Sequence, residues 1–177
     1  MKRMWSPWRS AYIQTFKEPR KKTSKRGGSI FTTALAEEND DKHFIIWRGK
    51  YCFLIMNLYP YNSGHLMVVP YKETGRFDAL TDVELKEIMA TIRRAIAALE
   101  QEMRPEGFNI GVNLGRAAGA GVNGHVHFHI VPRWNGDTNF MPTLTDTKVI
   151  SEDMQTTLLK LRRAFAKTKP KKRPKHG

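Results

Sequence analysis

Three of the chain's six histidines lie within five residues. Residues 124–132 read GHVHFHIVP, so histidine alternates there with Val and Phe. Alternation with a period of two predicts a β-strand, because side chains two residues apart lie on the same face. We therefore expect His125, His127 and His129 to share one face, with Cβ atoms about 7 Å apart.

A row of imidazoles is unfavourable as plain core material, since each ring carries two polar nitrogens that need partners when buried. Three interpretations fit the pattern. Alternating histidines can bind zinc, or one histidine can act as a nucleophile flanked by two helpers, or the strand has a polar face without chemistry. The pattern by itself leaves all three open.

The rest of the chain predicts an α+β fold, in which helices pack on one side of an antiparallel sheet of about five strands. Thr81 and Glu84 form a capping box at the start of a helix that Pro105 and Gly107 end. The predicted strands are 44–48, 51–57, 65–69, 108–113 and the histidine segment, and the other predicted helices are 31–38 and one that carries Met154, Leu158, Leu161 and Phe165.

The net charge of +13 is concentrated at the two ends of the chain. Residues 1–28 hold nine Lys and Arg and one acidic residue, residues 160–177 hold nine and none, and acidic residues predominate between them. We therefore expect a basic N-terminal arm (1–28), a folded domain (29–165) and a disordered basic tail (166–177). The arms can bind nucleic acid, stay solvated, or concentrate anionic substrates.

Apolar runs and cysteine usage indicate the compartment. No run reaches the roughly 18 apolar residues of a membrane span, and the N-terminus lacks the apolar core of a signal peptide. Cys52 is the single cysteine, so no internal disulfide can form. We expect a cytoplasmic protein that does not associate with a membrane.

Residues 125–131 match the signature His-φ-His-φ-His-φ-φ, where φ is apolar, and the chain resembles the histidine triad (HIT) superfamily. Asn57 and His65 have the spacing of that family's nucleotide-binding hairpin, and Asn113 before a Gly-rich loop also resembles a family position. The similarity spans about residues 29–142. Residues 4–9 (MWSPWR) and 132–142 (PRWNGDTNFMP) resemble the diadenosine tetraphosphate phosphorylase-like branch.

The resemblance implies an enzyme that cleaves phosphoanhydride or phosphoramide bonds of nucleotides through a nucleotidyl-histidine intermediate. It implies that His127 is the nucleophile, which a neutral imidazole can be near pH 7. His129 would donate to the α-phosphate oxygens, His125 would orient the centre, and His65 would brace the cluster from the adjacent strand. His65 also fits a purely structural role.

The same resemblance implies the substrate-binding residues. Asn57 would bind the ribose hydroxyls, although a turn residue at a strand end explains it too. Asn113, Gly119 and Gly121 belong to the candidate phosphate loop, where glycine lets backbone N–H groups approach an anion. Ile55 and Met67 fit either a base pocket or the core.

The chain departs from the family just before the triad. Many small hydrolases have Gln, Ser or Thr there, whereas this chain has Ala120 and Gly121 and one extra residue. We expect the space to admit inorganic phosphate, which Arg116 would help to hold, so that the reaction is phosphorolysis. Water as the acceptor stays open.

A second departure concerns metal. Many relatives carry Cys-x-x-Cys in a zinc site, whereas residues 29–32 read SIFT, so no structural zinc is expected. No cofactor is required, although a divalent cation can bind with the substrate. Trp134 fits either stacking on a second nucleoside or packing at a turn.

The predicted substrate is a dinucleoside polyphosphate with adenine, diadenosine tetraphosphate first, and the resemblance adds a homodimer. The alternatives are a nucleoside phosphoramidate or dinucleoside triphosphate hydrolase and, in another class, a nucleotide- or nucleic-acid-binding module that uses the basic arms.

Overall fold

The computed structural model describes residues 28–137 and 152–168. The regular elements in chain order are α1 (Ile30–Ala36), β1 (Ile45–Arg48), β2 (Cys52–Met56), β3 (Leu66–Pro70), α2 (Asp82–Met103), β4 (Gly107–Val112), β5 (Phe128–Arg133) and α3 (Met154–Lys167). Helix α3 includes Ala166 and Lys167, so the folded part extends two residues into the predicted tail (166–177). Residues 1–27, with the motif at 4–9, lie outside the described residues, as do 138–151 and 169–177.

The five strands form one antiparallel sheet in the order β1-β2-β3-β5-β4. Strand β5 therefore lies between β3 and β4, with His129 opposite Met67 on one side and Gly111 on the other. The predicted α+β fold with an antiparallel sheet of about five strands is confirmed. This order brings the histidine segment beside the strand that follows His65.

Helices α2 and α3 cover one face of the sheet. The side chain of Thr81 accepts from the Glu84 backbone N–H, and the Glu84 carboxylate accepts from the Thr81 N–H, so the predicted capping box forms. Helix α2 ends at Met103, and its C-cap Arg104 has a left-handed conformation just before Pro105. Its buried residues are Ile88, Thr91, Ile92, Ala95, Ala98 and Leu99, whereas Met89 is exposed.

Helix α1 lies on the opposite face of the sheet. Phe31 packs edge-on against Phe53 of β2, with ring centroids 6.5 Å apart. The main apolar cluster lies between the sheet and helices α2 and α3. A second apolar cluster, on the α1 side, consists of Phe31, Ile45, Phe53, Ile55, Met67 and Val69. The predicted placement of helices on one side thus holds for α2 and α3 but not for α1, because Phe31 needs an apolar surface of its own.

The observed strand at the histidine segment is shorter than the alternating pattern predicts. Strand β5 begins at Phe128, so His125 and His127 precede it. The pairing of β3 with β5 ends at Val68 and Phe128, and two residues further along β3 Pro70 has no N–H to donate. The Val126 N–H instead bonds the Thr74 carbonyl at 2.7 Å.

Among the helices of the described residues, none combines the length and apolarity that a membrane span requires.

Candidate active site

The four histidines of the predicted site are brought together on the α1 side of the sheet. His65, His125, His127 and His129 are buried, and in the described ranges each of their ring nitrogens that is closed off from solvent has a hydrogen-bond partner. The rings of His127 and His129 lie 4.8 Å apart, and those of His65 and His129 lie 5.0 Å apart. Each partner decides which nitrogen carries the proton.

His125 is held at both ring nitrogens. Its Nε2 lies 2.7 Å from the Pro70 carbonyl, which only accepts, so Nε2 carries the proton and donates. Its Nδ1 lies 2.7 Å from Ser29 Oγ. Burial lowers the pKa of His125 and favours the neutral ring, so Ser29 donates to Nδ1.

His127 has one bare nitrogen. Its Nδ1 lies 2.9 Å from the backbone carbonyl of His125, so Nδ1 carries the proton and donates. Burial is the main cause that lowers the pKa of His127 and keeps the ring neutral. Nε2 therefore has a lone pair, and within residues 28–137 and 152–168 no hydrogen bond engages it. This is the form that a nucleophile needs.

His65 and His129 form a hydrogen-bonded relay in which each neutral ring carries its proton on Nε2, whereas His127 carries its proton on Nδ1. The Tyr61 backbone N–H donates to His65 Nδ1 at 3.0 Å, so the proton of a neutral His65 is on Nε2. His65 Nε2 then donates to His129 Nδ1 at 2.9 Å. Burial, helped by His127, lowers the pKa of His129 to about 4. A neutral His129 thus carries its proton on Nε2 as a donor.

Asn57 lies at the end of β2 next to this relay. Its Oδ1 accepts from the Tyr59 N–H at 2.9 Å, and its Nδ2 lies 3.3 Å from His65 Nδ1. These contacts describe a turn residue that also touches the site, so they fit both interpretations of Asn57. Ile55 and Met67 are buried in the second apolar cluster, as core packing requires.

The Gly-rich loop between β4 and β5 packs against the segment that follows β3. A Cβ on Gly75 would lie 2.3 Å from the Asn123 carbonyl oxygen, so only glycine permits this approach. With its amide oriented to satisfy both neighbours, Asn123 accepts from Arg116 Nε and donates to the Ala120 carbonyl, each at 3.0 Å. Arg116 therefore shapes the loop.

The candidate phosphate-binding residues lie along this loop. Gly119 has φ +85°, a left-handed conformation that favours glycine, and Gly121 is half-buried. Asn113 follows the pair Val112–Phe128, so alternation places it on the face of His127 and His129.

Sequence reasoning missed the polar contacts that join the loop after β2 to the end of β5. The Asp137 carboxylate accepts from Asn62 Nδ2 at 2.8 Å and from Arg133 Nε at 2.6 Å. Asn62 Nδ2 also donates to the Pro132 carbonyl. These contacts fix the turn after Trp134, a half-buried residue that lines a groove of about 350 Å³. The groove is compatible with both interpretations of Trp134.

The donor atoms at the start of α1 do not suit zinc. Ser29 Oγ and Thr32 Oγ1 lie beside Glu73 and His125, so the cluster offers two hydroxyls where zinc prefers thiolate or imidazole. Within the described part of the chain, no three His, Cys, Asp or Glu side chains form a group able to hold a metal ion. These residues do not fit a structural zinc.

The buried triad predicts sensitivity to acid. Burial lowers the pKa of all three histidines, so below pH 6.5 the unfolded chain binds more protons than the folded protein. The free energy of unfolding therefore decreases as the pH is lowered through that range. For His129 alone, we expect about 2 to 3 kcal/mol of the free energy of unfolding to be lost between pH 7 and pH 4.5. Urea unfolding of wild type and His129→Gln at both pH values measures it. Equal losses in the two proteins would contradict the assignment.

Known proteins with similar sequences belong to one family. A model of the HIT domain matches residues 38–136. The AP-4-A phosphorylase of Mycobacterium tuberculosis is 39% identical over 157 residues, which cover 89% of this chain and 80% of that protein. The asymmetrical bis(5'-nucleosyl)-tetraphosphatase of Schizosaccharomyces pombe is 33% identical over 93 residues, which cover 52% of this chain and 50% of that protein.

Solved structures show the same fold. A zinc-bound histidine triad family protein from Mycobacterium smegmatis superposes with a TM-score of 0.64 at 24% identity, covering 78% of this chain and 94% of that one. The family model, the 39% identity over most of the chain and the hydrogen-bonded histidines of the site all indicate the same family. The chain therefore belongs to the HIT family, in the branch that contains the mycobacterial AP-4-A phosphorylase.

Proposed function

We propose that this protein transfers a nucleotidyl group from a dinucleoside polyphosphate, diadenosine tetraphosphate first, to inorganic phosphate. The observation that carries the proposal is the bare Nε2 of His127, held by the bond from Nδ1 to the His125 carbonyl. The two curated relatives above have the names of enzymes, and the chain is a HIT-family enzyme of the nucleotidyltransferase and hydrolase kind. The name of the M. tuberculosis relative supports phosphate as the acceptor.

In the first step, His127 Nε2 attacks the α-phosphorus of diadenosine tetraphosphate. A P–N bond forms, the anhydride P–O bond breaks, and ATP leaves with the electron pair. The Nε2–H of His129 donates to the α-phosphate oxygens, whose charge grows in the transition state. Burial helps because it strengthens this donation.

In the second step, an oxygen of inorganic phosphate attacks the same phosphorus. The P–N bond breaks, its electron pair returns to His127 Nε2, and ADP leaves. Asn57 is assigned to the ribose hydroxyls, and Asn113 with the backbone of Gly119 and Gly121 to the phosphates. Ala120 and Gly121 are half-buried and have a small side chain or none, which supports the proposal that inorganic phosphate fits beside the substrate.

The homodimer stays part of the proposal. Strand β4 is at the edge of the sheet and pairs with β5. Its residues Asn109, Ile110 and Gly111 are exposed, and Ile110 is 47% exposed. An exposed, partly apolar edge strand is a surface on which a second chain can pair.

Product analysis tests the acceptor. Diadenosine tetraphosphate is incubated with and without ³²P-labelled inorganic phosphate, and the nucleotides are separated by chromatography. We expect ADP and ATP in equal amounts with phosphate, with the label in ADP alone, because phosphate joins the enzyme-bound AMP. Without phosphate, turnover should fall at least about 100-fold, since water is not held as a nucleophile.

Two outcomes would contradict the proposal. AMP and ATP formed equally in both buffers would make the protein a hydrolase. No turnover in either buffer would point to a phosphoramidate substrate or to the binding module.

A further inference from the structure

The first turn of α1 and the segment after β3 meet at His125 through polar groups with no role in the proposed chemistry. Ser29 Oγ bonds His125 Nδ1 at 2.7 Å. Thr32 Oγ1 donates to Glu73 Oε2 at 2.6 Å, and the Ser29 N–H donates to Glu73 Oε1 at 2.8 Å. The carboxylate of Glu73 thus ties down the turn whose serine contacts His125.

The protons of this cluster have one consistent arrangement. An ionised carboxylate only accepts, so the Thr32 hydroxyl proton goes to Glu73. His125 Nδ1 is an acceptor, so the Ser29 hydroxyl proton goes to it. Ser29 Oγ also accepts from the Thr32 backbone N–H at 3.2 Å, as the N-cap of α1. Every donor therefore meets an acceptor without a metal ion.

The cluster reaches the nucleophile through one residue. The ring of His125 is fixed at both nitrogens, and its carbonyl accepts the bond from His127 Nδ1. Phe31, two residues after Ser29, contacts both rings, with centroid distances of 5.4 Å to His125 and 5.3 Å to His127. Moving the first turn of α1 would shift both imidazoles. Because β5 begins only at Phe128, no strand ladder among the described residues holds His127 in place of these contacts.

We propose that Ser29, Thr32 and Glu73 form a hydrogen-bonded brace that positions His127 through His125. Ser29 and Glu73 are then positioning residues, and the brace needs no metal ion. As an account of catalysis the proposal rests on the proposed function. It assigns the alignment of His127 Nε2 with the phosphorus to side chains at the start of α1 and in the segment after β3.

Substitutions at Ser29 separate bracing from helix capping. Asp and Thr can both cap α1 in place of Ser. Thr keeps an O–H donor for His125 Nδ1, whereas an aspartate has none and faces the imidazole with a carboxylate. We expect Ser29→Asp to lower kcat for diadenosine tetraphosphate about tenfold with little change in KM, since misaligned groups slow the chemical step. Its carboxylate also favours protonated His125, so the acid limb of the pH profile should move to higher pH. Ser29→Thr should keep wild-type kinetics.

Glu73 is tested against a matched carboxylate on the same connection. Glu73→Gln keeps one acceptor oxygen and puts an NH2 donor in place of the other, so it can no longer accept from both the Ser29 N–H and the Thr32 hydroxyl, and it should lower kcat severalfold. Asp78→Asn removes the same charge from an exposed residue that pairs with Arg76, and should leave kcat unchanged. Wild-type kcat in both Ser29→Asp and Glu73→Gln, or equal losses in Glu73→Gln and Asp78→Asn, would overturn the brace.

An NMR measurement separates the brace from the proposed function. The Nδ1–H resonance of His127 is followed in ¹⁵N-labelled protein without substrate. It should shift and exchange faster with water in Ser29→Asp and Glu73→Gln, and stay unchanged in Ser29→Thr and Asp78→Asn. An unchanged resonance in all four variants would overturn the brace whatever the substrate. Absent turnover in wild type with the expected shifts would instead refute the proposed function alone.

Discussion

His127→Ala is expected to lower kcat for diadenosine tetraphosphate by at least about 10⁴-fold, because losing a covalent nucleophile removes the whole two-step route. Nucleotide binding should change little, since the phosphate loop and Asn57 remain. Steady-state kinetics and calorimetric titration with ADP measure the two effects. His43→Ala is the matched control, because His43 pairs with Glu37 at the C-terminal end of α1, opposite to the end that contacts His125.

The same variant tests the covalent step. With substrate labelled at the α-phosphate, wild type quenched in denaturant without inorganic phosphate should retain a label that acid releases and base does not, as a P–N bond requires. His127→Ala should retain none. Turnover above about 1% of wild type in His127→Ala would refute the nucleophile. If His127→Ala changes none of these properties and the protein binds nucleic acid with steep salt dependence, the result would support the binding module.

Replacing His129 should give the second largest loss. His129→Ala removes the donor to the α-phosphate, which is expected to lower kcat by about 10²- to 10³-fold. His65→Ala should have a similar but smaller effect, because it leaves His129 Nδ1 without its donor and lets the proton move to that nitrogen. His65→Gln keeps an N–H group and should recover part of the rate.

A double-mutant cycle checks that His65 acts through His129. If the relay is correct, the double variant should be no slower than His129→Ala alone, since the second substitution removes nothing further. Losses that add in free energy would show that the two histidines act independently.

The long amphipathic helix could be predicted because its determinants are local. Thr81 and Glu84 are three residues apart and form the capping box that their types predict. The start of β5 could not be predicted, because the alternation of histidine with apolar residues includes His125 and His127, whereas the hydrogen-bonded pairing with β3 ends at Phe128. It stops at a feature of another strand, Pro70 of β3, which no pattern within 124–132 contains.

Sequence reasoning found the site residues that lie in a recognisable motif and missed those brought in by the fold. The structure brings His65 to the triad, as the resemblance implies. Ser29 was noticed as a departure from a cysteine, and its N-cap position before a helix was the available signal. Glu73 and Asp137 had none, because they bond residues 44 and 75 positions away. The roles of Asn57, Asn113, Gly119 and Gly121 stay predictions.

Strands β3 and β5 are neighbours in space but not in sequence, since α2 and β4 come between them. The bond from His65 to His129 spans 64 residues. Forming it requires a long loop to close, which slows folding because the entropy is lost before the contact is gained. The local hairpins and helix by themselves cannot form the relay, since it joins β5 to the residue before β3. Because the relay needs this long-range pairing, we expect a chain that has not formed it to lack the donor for the α-phosphate.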